Sequence, residues 1–378
     1  MVTLAAQQKP TQLLQLTSLR FFAALAVLFF HQGYLSSKDN PIKDFASIFF
    51  TEGYAGVSFF FVLSGFILSY SYQKNLLDKQ ISAKKYLLLR LARIFPLHLV
   101  VAFIFLFFAI DRINFEFLKS ALLNLVLLQS WIPSPGYYFS LNAVSWSLSV
   151  ELFFYFSFIF LAIFSTKTLV RIALSLFLVI STLAAYVILN GGGSWTAANG
   201  NLKLSHWFFY INPAVRLLDF VIGMLVYRLS IAQPLKKFSS FNEIFSLLLL
   251  FLGVYIFSIY KFPEILRSQL LYLPFIAYVI YSFADGEGLL SKGLKAKTLI
   301  LLGEASFSLY LIHQPIIVIS YTAYQKHYAH IPLIIFSIVI TLFCLFASVL
   351  IYKIFEKPIH GYLRKKIGTA TESQLINK

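Results

Sequence analysis

Residues 331–353 read IPLIIFSIVITLFCLFASVLIYK, and no charged side chain interrupts the 22 residues from Ile331 to Tyr352. A helix needs about 20 mostly apolar residues to cross the hydrocarbon core of a bilayer, which is roughly 30 Å thick. The apolar residues are continuous and do not alternate with polar ones, unlike those in the strands of a membrane β-barrel. The run therefore predicts a transmembrane α-helix.

Similar apolar runs recur along the rest of the chain, at 17–35, 53–72, 95–110, 142–163, 169–190, 207–229, 242–260, 265–284 and 299–324. Charged residues make up 12% of the sequence, against about 25% in soluble domains. We therefore predict an all-α polytopic membrane protein with about ten transmembrane helices. An eleventh apolar run, 117–131, is short and is a candidate re-entrant or interfacial segment.

The distribution of basic residues predicts the orientation. A net charge of +16 would point to nucleic acid in a soluble protein, but membrane proteins carry excess Lys and Arg on the cytoplasmic side. With ten alternating spans and the N-terminus inside, 21 of the 31 Lys and Arg residues fall in inner segments and 8 in outer segments. We therefore predict that both termini are cytoplasmic, that the lipid bilayer is a partner and that nucleic acid is not.

We expect one transmembrane domain over residues 1–367, followed by a short polar cytoplasmic tail over 368–378. The first apolar run has no small-residue cleavage site after it, so we expect a retained helix and not a cleaved signal peptide. The sequence has one cysteine, Cys344, and no zinc-like spacing of Cys and His. No metal is therefore expected.

Arg20 and His31 are ionisable residues inside the first predicted helix, where such residues by default mark a functional site. They are eleven residues apart, which is about three helical turns and about 16 Å of rise, so both lie on one face. An arginine suits a phosphate, and a histidine can take a proton from a hydroxyl near neutral pH. The alternative is a snorkelling arginine and a buried, hydrogen-bonded histidine.

Other spans carry further polar groups, each with a structural alternative. Glu151 shares a helix face with Ser147 and Tyr155, and His313 shares one with Ser306 and Tyr310. Arg216 and Asp219 are i, i+3 neighbours that could form a structural ion pair. Arg90 and Arg93, at the start of the third span, could grip a phosphate from the cytoplasm or serve only as topology signals. Together these residues predict a polar cavity with a basic inner mouth.

Seven motifs in order resemble the acyltransferase 3 family of membrane acyltransferases, from Leu16 to about Leu363. LTSLRFFAALAVLFFH is similar to that family's Arg-x10-His signature at Arg20 and His31. The others follow in the expected order: GVSFFFVLSGFILS (56–69), RLARIFPLH (90–98), NAVSWSLSVELFFY (142–155), NPAVRLLDFVIGM (212–224), SFSLYLIHQP (306–315) and FEKPIH (355–360). The resemblance covers nearly the whole chain.

The resemblance implies an O-acyltransferase in a bacterial cytoplasmic (inner) membrane. It would transfer an acyl group, most often acetyl, from cytoplasmic acyl-CoA to a hydroxyl of an extracytoplasmic or lipid-linked carbohydrate, such as lipopolysaccharide O-antigen or a capsule precursor. His31 would be the general base and Glu151 would orient it or another polar partner, while Arg20, Arg90 and Arg93 would hold the CoA phosphates. The implied cavity or substrate residues are Ser147, Trp146, Arg216, Asp219, Tyr310 and His313.

Some family members carry a fused extracytoplasmic esterase-like domain, and we expect this chain to be the stand-alone form. The competing function is a transporter or flippase for a glycan or its lipid carrier, in which intramembrane Arg, Glu and His would be substrate or proton sites. Against it, the sequence shows no inverted repeat and no paired Gly/Pro-interrupted helices. Dependence on acetyl-CoA would discriminate the two functions.

Overall fold

The structure, a computed structural model, describes residues 13–37, 40–109 and 114–376. Over these residues the secondary structure is helical, with an isolated bridge between Thr196 and Leu202 and no β-strand. The prediction of an all-α protein with several apolar helices is confirmed.

The longer helices are α1 (Leu14–His31), α2 (Ala55–Leu68), α3 (Ala83–Phe108), α4 (Phe115–Leu125), α5 (Trp146–Leu161), α6 (Thr166–Leu189), α7 (Pro213–Ala232), α8 (Ser239–Ile259), α9 (Leu273–Phe283), α10 (Lys297–Glu304), α11 (Ser306–Ala323), α12 (Leu333–Ile351) and α13 (Lys357–Ile376). Single helical turns and short π-helical or 3-10 segments connect them: Gly33–Ser36, Lys43–Phe45, Ala46–Phe50, Ser69–Gln73, Lys74–Leu77, Gln129–Trp131, Pro135–Tyr138, Ala143–Ser145, Leu204–His206, Trp207–Ile211, Lys236–Phe238, Glu264–Arg267, Leu289–Leu294, Tyr324–Tyr328 and Tyr352–Glu356.

By length and composition, seven segments of the described chain could cross a membrane, and the bent pair α10–α11 makes an eighth. The seven are Leu14–His31, Lys43–Leu77, Ala83–Phe108, Ala143–Leu161, Thr166–Leu189, Lys236–Ile259 and Leu333–Gly368. The predicted spans 207–229 and 265–284 are not among them, because α7 carries Arg216, Asp219 and Arg228 and the apolar helix α9 has only 11 residues. The predicted segment 117–131 contains α4, also 11 residues long.

Polar residues set where several of these helices begin. Ser82, Asn114, Ser165 and Asn212 each precede a helix and accept a backbone N–H from its first turn. Such N-caps satisfy donors that have no partner within the helix. At α7, Pro213 follows Asn212 in the first turn, where its missing N–H leaves nothing unpaired.

The predicted span 299–324 is interrupted at Ala305. Helices α10 and α11 meet there at a bend of 63°. The break directs the first residues of α11, Ser306 and Phe307, toward the interior of the bundle, where both line a cavity.

Two glycines let helices α2 and α7 touch along their backbones. A Cβ added to Gly65 would lie 2.0 Å from the carbonyl oxygen of Phe220, and one added to Gly223 would lie 1.9 Å from that of Val62. Small residues at such crossings allow the close backbone approach on which packing between membrane helices depends. This crossing fixes the position of α2, whose other face lines the cavity.

Glycines also hold α1 closely on two sides. A Cβ on Gly53 would lie 2.1 Å from the carbonyl oxygen of Ala26, and a Cβ on Gly303 of α10 would lie 2.0 Å from that of Thr17. Helix α1, which carries Arg20 and His31, is therefore packed backbone to backbone at two levels.

Candidate active site

A cavity of about 160 Å³ lies inside the bundle, with walls from α1, α2, α3, α5 and α11. Six of the residues that the sequence singled out lie in its wall: Arg20, Arg90, Arg93, Ser147, Glu151 and Tyr310. The remaining lining residues are Val57, Phe60, Phe61, Leu63, Ser64, Ile67, Leu68, Ile94, Leu148, Tyr155, Ser306 and Phe307. The cavity thus combines an apolar wall from α2 with charged and hydroxyl groups from the other helices.

The three arginines are half-buried, and two of them, Arg90 and Arg93, have a direct side-chain partner. Arg90 donates from Nη2 to the Tyr72 hydroxyl at 2.8 Å, and its guanidinium lies 4.8 Å from the centre of that ring. Arg93 Nη1 lies 2.6 Å from Glu356 Oε1. Arg20 interacts electrostatically with Arg93 and with two carboxylates.

Those carboxylates are Glu151 and Glu356, and each also accepts a hydroxyl. Tyr155 donates to Glu151 at 2.7 Å, and Ser308 donates to Glu356 at 2.5 Å. Three guanidinium groups against two carboxylates leave a formal charge of +1 in this region. An anionic group entering the cavity would therefore meet a net positive field and planar donors suited to phosphate oxygens.

Ser147 and Tyr310 form a hydroxyl pair in the wall of the same cavity. Ser147 Oγ donates to the Tyr310 hydroxyl at 2.8 Å, and the Tyr310 hydroxyl donates to the carbonyl oxygen of Val144 at 3.2 Å. The Tyr310 ring packs edge-on against Phe60 at 6.1 Å and lies 5.8 Å from the ring of His313. Tyr310 therefore stands between the cavity and the histidine.

His31 and His313 face each other beyond Tyr310. Their ring centroids are 5.1 Å apart and their planes are tilted by 55°. His31 is half-buried at the end of α1, whereas His313 is fully buried in α11. Neither histidine is part of the cavity wall itself.

The structure does not bring Glu151 to His31. The Glu151 carboxylate instead accepts the hydroxyl of Tyr155, one turn along α5. The sequence predicts that Glu151 faces the cavity. It does not show whether the Arg20 end or the His31 end of α1 lies beside this carboxylate. Among the described residues, neither ring nitrogen of His31 has a hydrogen-bond partner.

Arg216 and Asp219 lie outside the cavity wall, in a fully buried ion pair within α7. Arg216 also donates to the carbonyl oxygen of Ser268 at 2.9 Å and to Ser58 Oγ at 2.6 Å, and Asp219 accepts from Gln269 at 2.9 Å. These contacts tie α7 to α2 and to the segment before α9. These surroundings are those of a structural ion pair.

Trp146 is buried but does not line the cavity. Its ring packs 4.9 Å from Tyr210 and 6.2 Å from Phe61. It belongs to an aromatic cluster with Tyr54, Trp195 and Tyr210. No group of three or more His, Cys, Asp or Glu side chains suited to a metal ion occurs within the described ranges.

Sequence reasoning assigned no role to Tyr72, Tyr155 or Glu356, which hold the charged residues of the cavity. Glu356 was visible in the FEKPIH motif, but its partner Arg93 is more than 260 positions away in sequence. Spacing within one helix cannot reveal a contact of that kind. Tyr155 was identified as sharing a face with Glu151, and that pattern could have predicted their hydrogen bond.

Comparison with known proteins identifies the family. The family described as "Acyltransferase domain" matches residues 13–353. Acyltransferase MdmB of Streptomyces mycarofaciens is 30% identical over 317 residues, covering 79% of this chain and 77% of that protein. A Bacillus subtilis (strain 168) protein named "Putative peptidoglycan O-acetyltransferase YrhL" is 24% identical over 377 residues, covering 91% of this chain and 54% of that protein. No solved structure matches the chain significantly. The chain therefore belongs to the acyltransferase 3 family and is a membrane enzyme of the O-acyltransferase class.

Proposed function

We propose that this protein transfers an acetyl group from cytoplasmic acetyl-CoA to a hydroxyl of an extracytoplasmic or lipid-linked carbohydrate. The acceptor class includes lipopolysaccharide O-antigen, capsule precursors and other envelope glycans, and the site of action is the bacterial cytoplasmic membrane. The observation that carries the proposal is the cavity, which joins three arginines to Tyr310 and, beyond it, to the His31–His313 pair.

The arginines are suited to the donor. CoA carries phosphate groups, and Arg20, Arg90 and Arg93 offer fork-shaped donors that can bind phosphate oxygens in pairs. Arg93 is engaged by Glu356 and Arg90 by Tyr72, so phosphate binding would compete with these contacts. The apolar wall from α2 suits the uncharged arm that carries the thioester.

His31 is the proposed general base. It takes the proton of the acceptor hydroxyl, the oxygen forms a bond to the thioester carbonyl carbon, and the carbon–sulfur bond breaks. The CoA thiolate leaves and takes up the proton that His31 releases, so the products are the acetyl ester and CoA. A positioned base of this kind contributes about 100- to 10,000-fold to the rate. Direct transfer without a covalent enzyme intermediate is part of the proposal.

The proposed topology places the Arg20 end of α1 toward the cytoplasm and the His31 end toward the outside. It keeps about ten spans, with α7 and α9 as the two that composition alone does not identify, and both termini in the cytoplasm. Residues 1–367 form the catalytic domain and 368–378 a polar tail. The excess of basic residues in the inner segments supports this orientation.

The relatives support the same chemistry. One is named an acyltransferase, which supports acyl transfer. Another is named a putative peptidoglycan O-acetyltransferase, and that name supports the acetyl group and a carbohydrate acceptor as parts of the proposal.

Binding of acetyl-CoA to the purified, detergent-solubilised protein tests the donor half of the proposal. We expect micromolar affinity that falls by about 10-fold or more in Arg20→Ala and in Arg90→Ala, the scale for losing a hydrogen bond between charged groups. Arg171→Ala is the matched control, because Arg171 is exposed on α6 and its loss changes the net charge equally. Absence of binding by folded wild-type protein would favour the transporter or flippase instead.

A further inference from the structure

The His31–His313 pair joins two helices at the point where the proposed chemistry takes place. His31 is the last residue of α1, and His313 lies in α11, which packs against it. With ring centroids 5.1 Å apart, a small rotation of either ring can bring one nitrogen of each to about 3 Å, the length of a hydrogen bond.

The surroundings of His313 determine which of its nitrogens carries the proton. Nδ1 lies 3.1 Å from the carbonyl oxygen of Leu309. A carbonyl oxygen can only accept, so in the neutral imidazole Nδ1 must be the donor and Nε2 the acceptor. Nε2 is buried and has no hydrogen-bond partner among the described residues. A buried acceptor without a donor is costly. This nitrogen is therefore available to accept a hydrogen bond from an N–H group.

We infer that His313 is a positioning residue whose Nε2 accepts an N–H from His31 and so aims the other nitrogen of His31 at the acceptor hydroxyl. This inference rests on the proposed function, in which His31 is the base. When His31 takes the hydroxyl proton, both of its nitrogens carry hydrogen, and the bond to His313 stabilises the resulting imidazolium. No proton passes to His313, and His31 releases its extra proton to the CoA thiolate.

The neighbouring hydroxyl and carboxylate groups of the cavity are engaged by other partners. The Tyr310 hydroxyl is engaged by Ser147 and by the Val144 carbonyl, and Glu151 accepts from Tyr155. No carboxylate in the described part of the chain contacts either imidazole. We therefore assign to His313, and not to Glu151, the role of orienting His31.

Two near-isosteric substitutions of His313 separate the proposed role from a packing role. In His313→Asn the amide nitrogen can replace Nδ1 and keep the bond to Leu309, but the acceptor at Nε2 is lost. In His313→Gln the amide oxygen reaches the position of Nε2 and keeps the acceptor, while the Nδ1 donor is lost. Positioning through Nε2 predicts that Gln rescues activity and Asn does not. A structural role through the Leu309 bond predicts the reverse.

The assay uses inverted membrane vesicles from bacteria that express the full chain, supplied with radiolabelled acetyl-CoA. The rate of acetyl incorporation into the glycan fraction is measured against acetyl-CoA concentration. We expect His313→Asn to lower kcat by about 10-fold or more with KM for acetyl-CoA unchanged, since part of the contribution of the base is lost. His313→Gln should retain most of the wild-type kcat.

The outcomes distinguish this inference from the proposed function. Equal losses in Asn and Gln, a better Asn than Gln variant, or a change in KM alone would overturn the role of His313 while leaving His31 as the base. Wild-type vesicles that transfer no acetyl group, or a fully active His31→Ala variant, would overturn the proposed function and this inference with it.

Discussion

Replacing Gly223 by alanine should force helices α2 and α7 apart. The added Cβ would lie 1.9 Å from the carbonyl oxygen of Val62, about 1.5 Å short of the 3.4 Å at which ordinary contact begins. The clashing atom belongs to the backbone of a helix, so no side chain can turn away to relieve the clash. Overpacking in a well-packed interior costs about 1–3 kcal/mol or more, and we expect the upper part of that range.

The loss can be measured as the apparent melting midpoint in detergent, with a thiol-reactive dye as the reporter. Cys344 is the only cysteine in the sequence and is buried in α12, so the dye reacts as the protein unfolds. We expect Gly223→Ala to melt several degrees below wild type and to lose transferase activity, because α2 forms much of the cavity wall. Gly361→Ala is the control, since no atom lies within 4 Å of the Cβ that it adds.

A double variant sharpens the test. Gly65→Ala produces the reciprocal clash, 2.0 Å from the carbonyl oxygen of Phe220. One separation of α2 from α7 relieves both clashes, so the double variant should lose less stability than the two single losses combined. Full additivity, or a Gly223→Ala protein that melts at the wild-type temperature, would refute the view that Gly65 and Gly223 form one close contact between the two backbones.

Three further predictions concern buried polar groups. Arg216→Ala leaves Asp219 with an uncompensated buried charge and should cost about 3–5 kcal/mol, seen as a lower melting midpoint or poor recovery of folded protein. Glu52→Gln should destabilise less than Glu52→Ala, because the amide can still accept from the tyrosine hydroxyls that bond to this carboxylate beside Arg267; equal losses would contradict this. Burial lowers the pKa of His206 to about 4, so the unfolded chain binds the proton more readily and stability should fall as the pH drops from about 6.5 toward 4. His206→Gln should remove that part of the pH dependence, and an unchanged pH profile of the melting midpoint would speak against it.

The sequence predicted the helical class well because apolar runs report burial in a membrane directly. Length and composition support seven or eight of the about ten predicted spans among the described residues. Helix α7 buries Arg216 and Asp219 inside the protein. Its charged residues therefore do not show that the helix lies outside the membrane, although they lower its apolar content. Over 265–284, the predicted span is divided between a short turn and the 11-residue helix α9.

The candidate site was predicted in part. Helical spacing placed Glu151 and Ser147 on one face, and both line the cavity with Arg20. The partners of these residues could not be predicted from the sequence, because a contact such as Arg93 to Glu356 depends on how the helices are arranged around the bundle. The pairing of His31 with His313 has the same origin. Periodicity identifies the inward face of each helix but does not specify which faces meet.

The backbone packing of α1 has a consequence for how this protein can vary. Gly53 and Gly303 bring neighbouring backbones against α1, so the helix cannot slide or tilt to suit a ligand. The eleven-residue interval then fixes the distance between Arg20 and His31 along the helix axis at about 16 Å. An acyl donor must be long enough to span that distance. Inserting one residue within the interval would swing His31 by about 100° around the helix axis and away from His313. Point substitutions on the outward side of α1, at Phe22 for example, leave the spacing between Arg20 and His31 unchanged. An insertion or deletion between them does not.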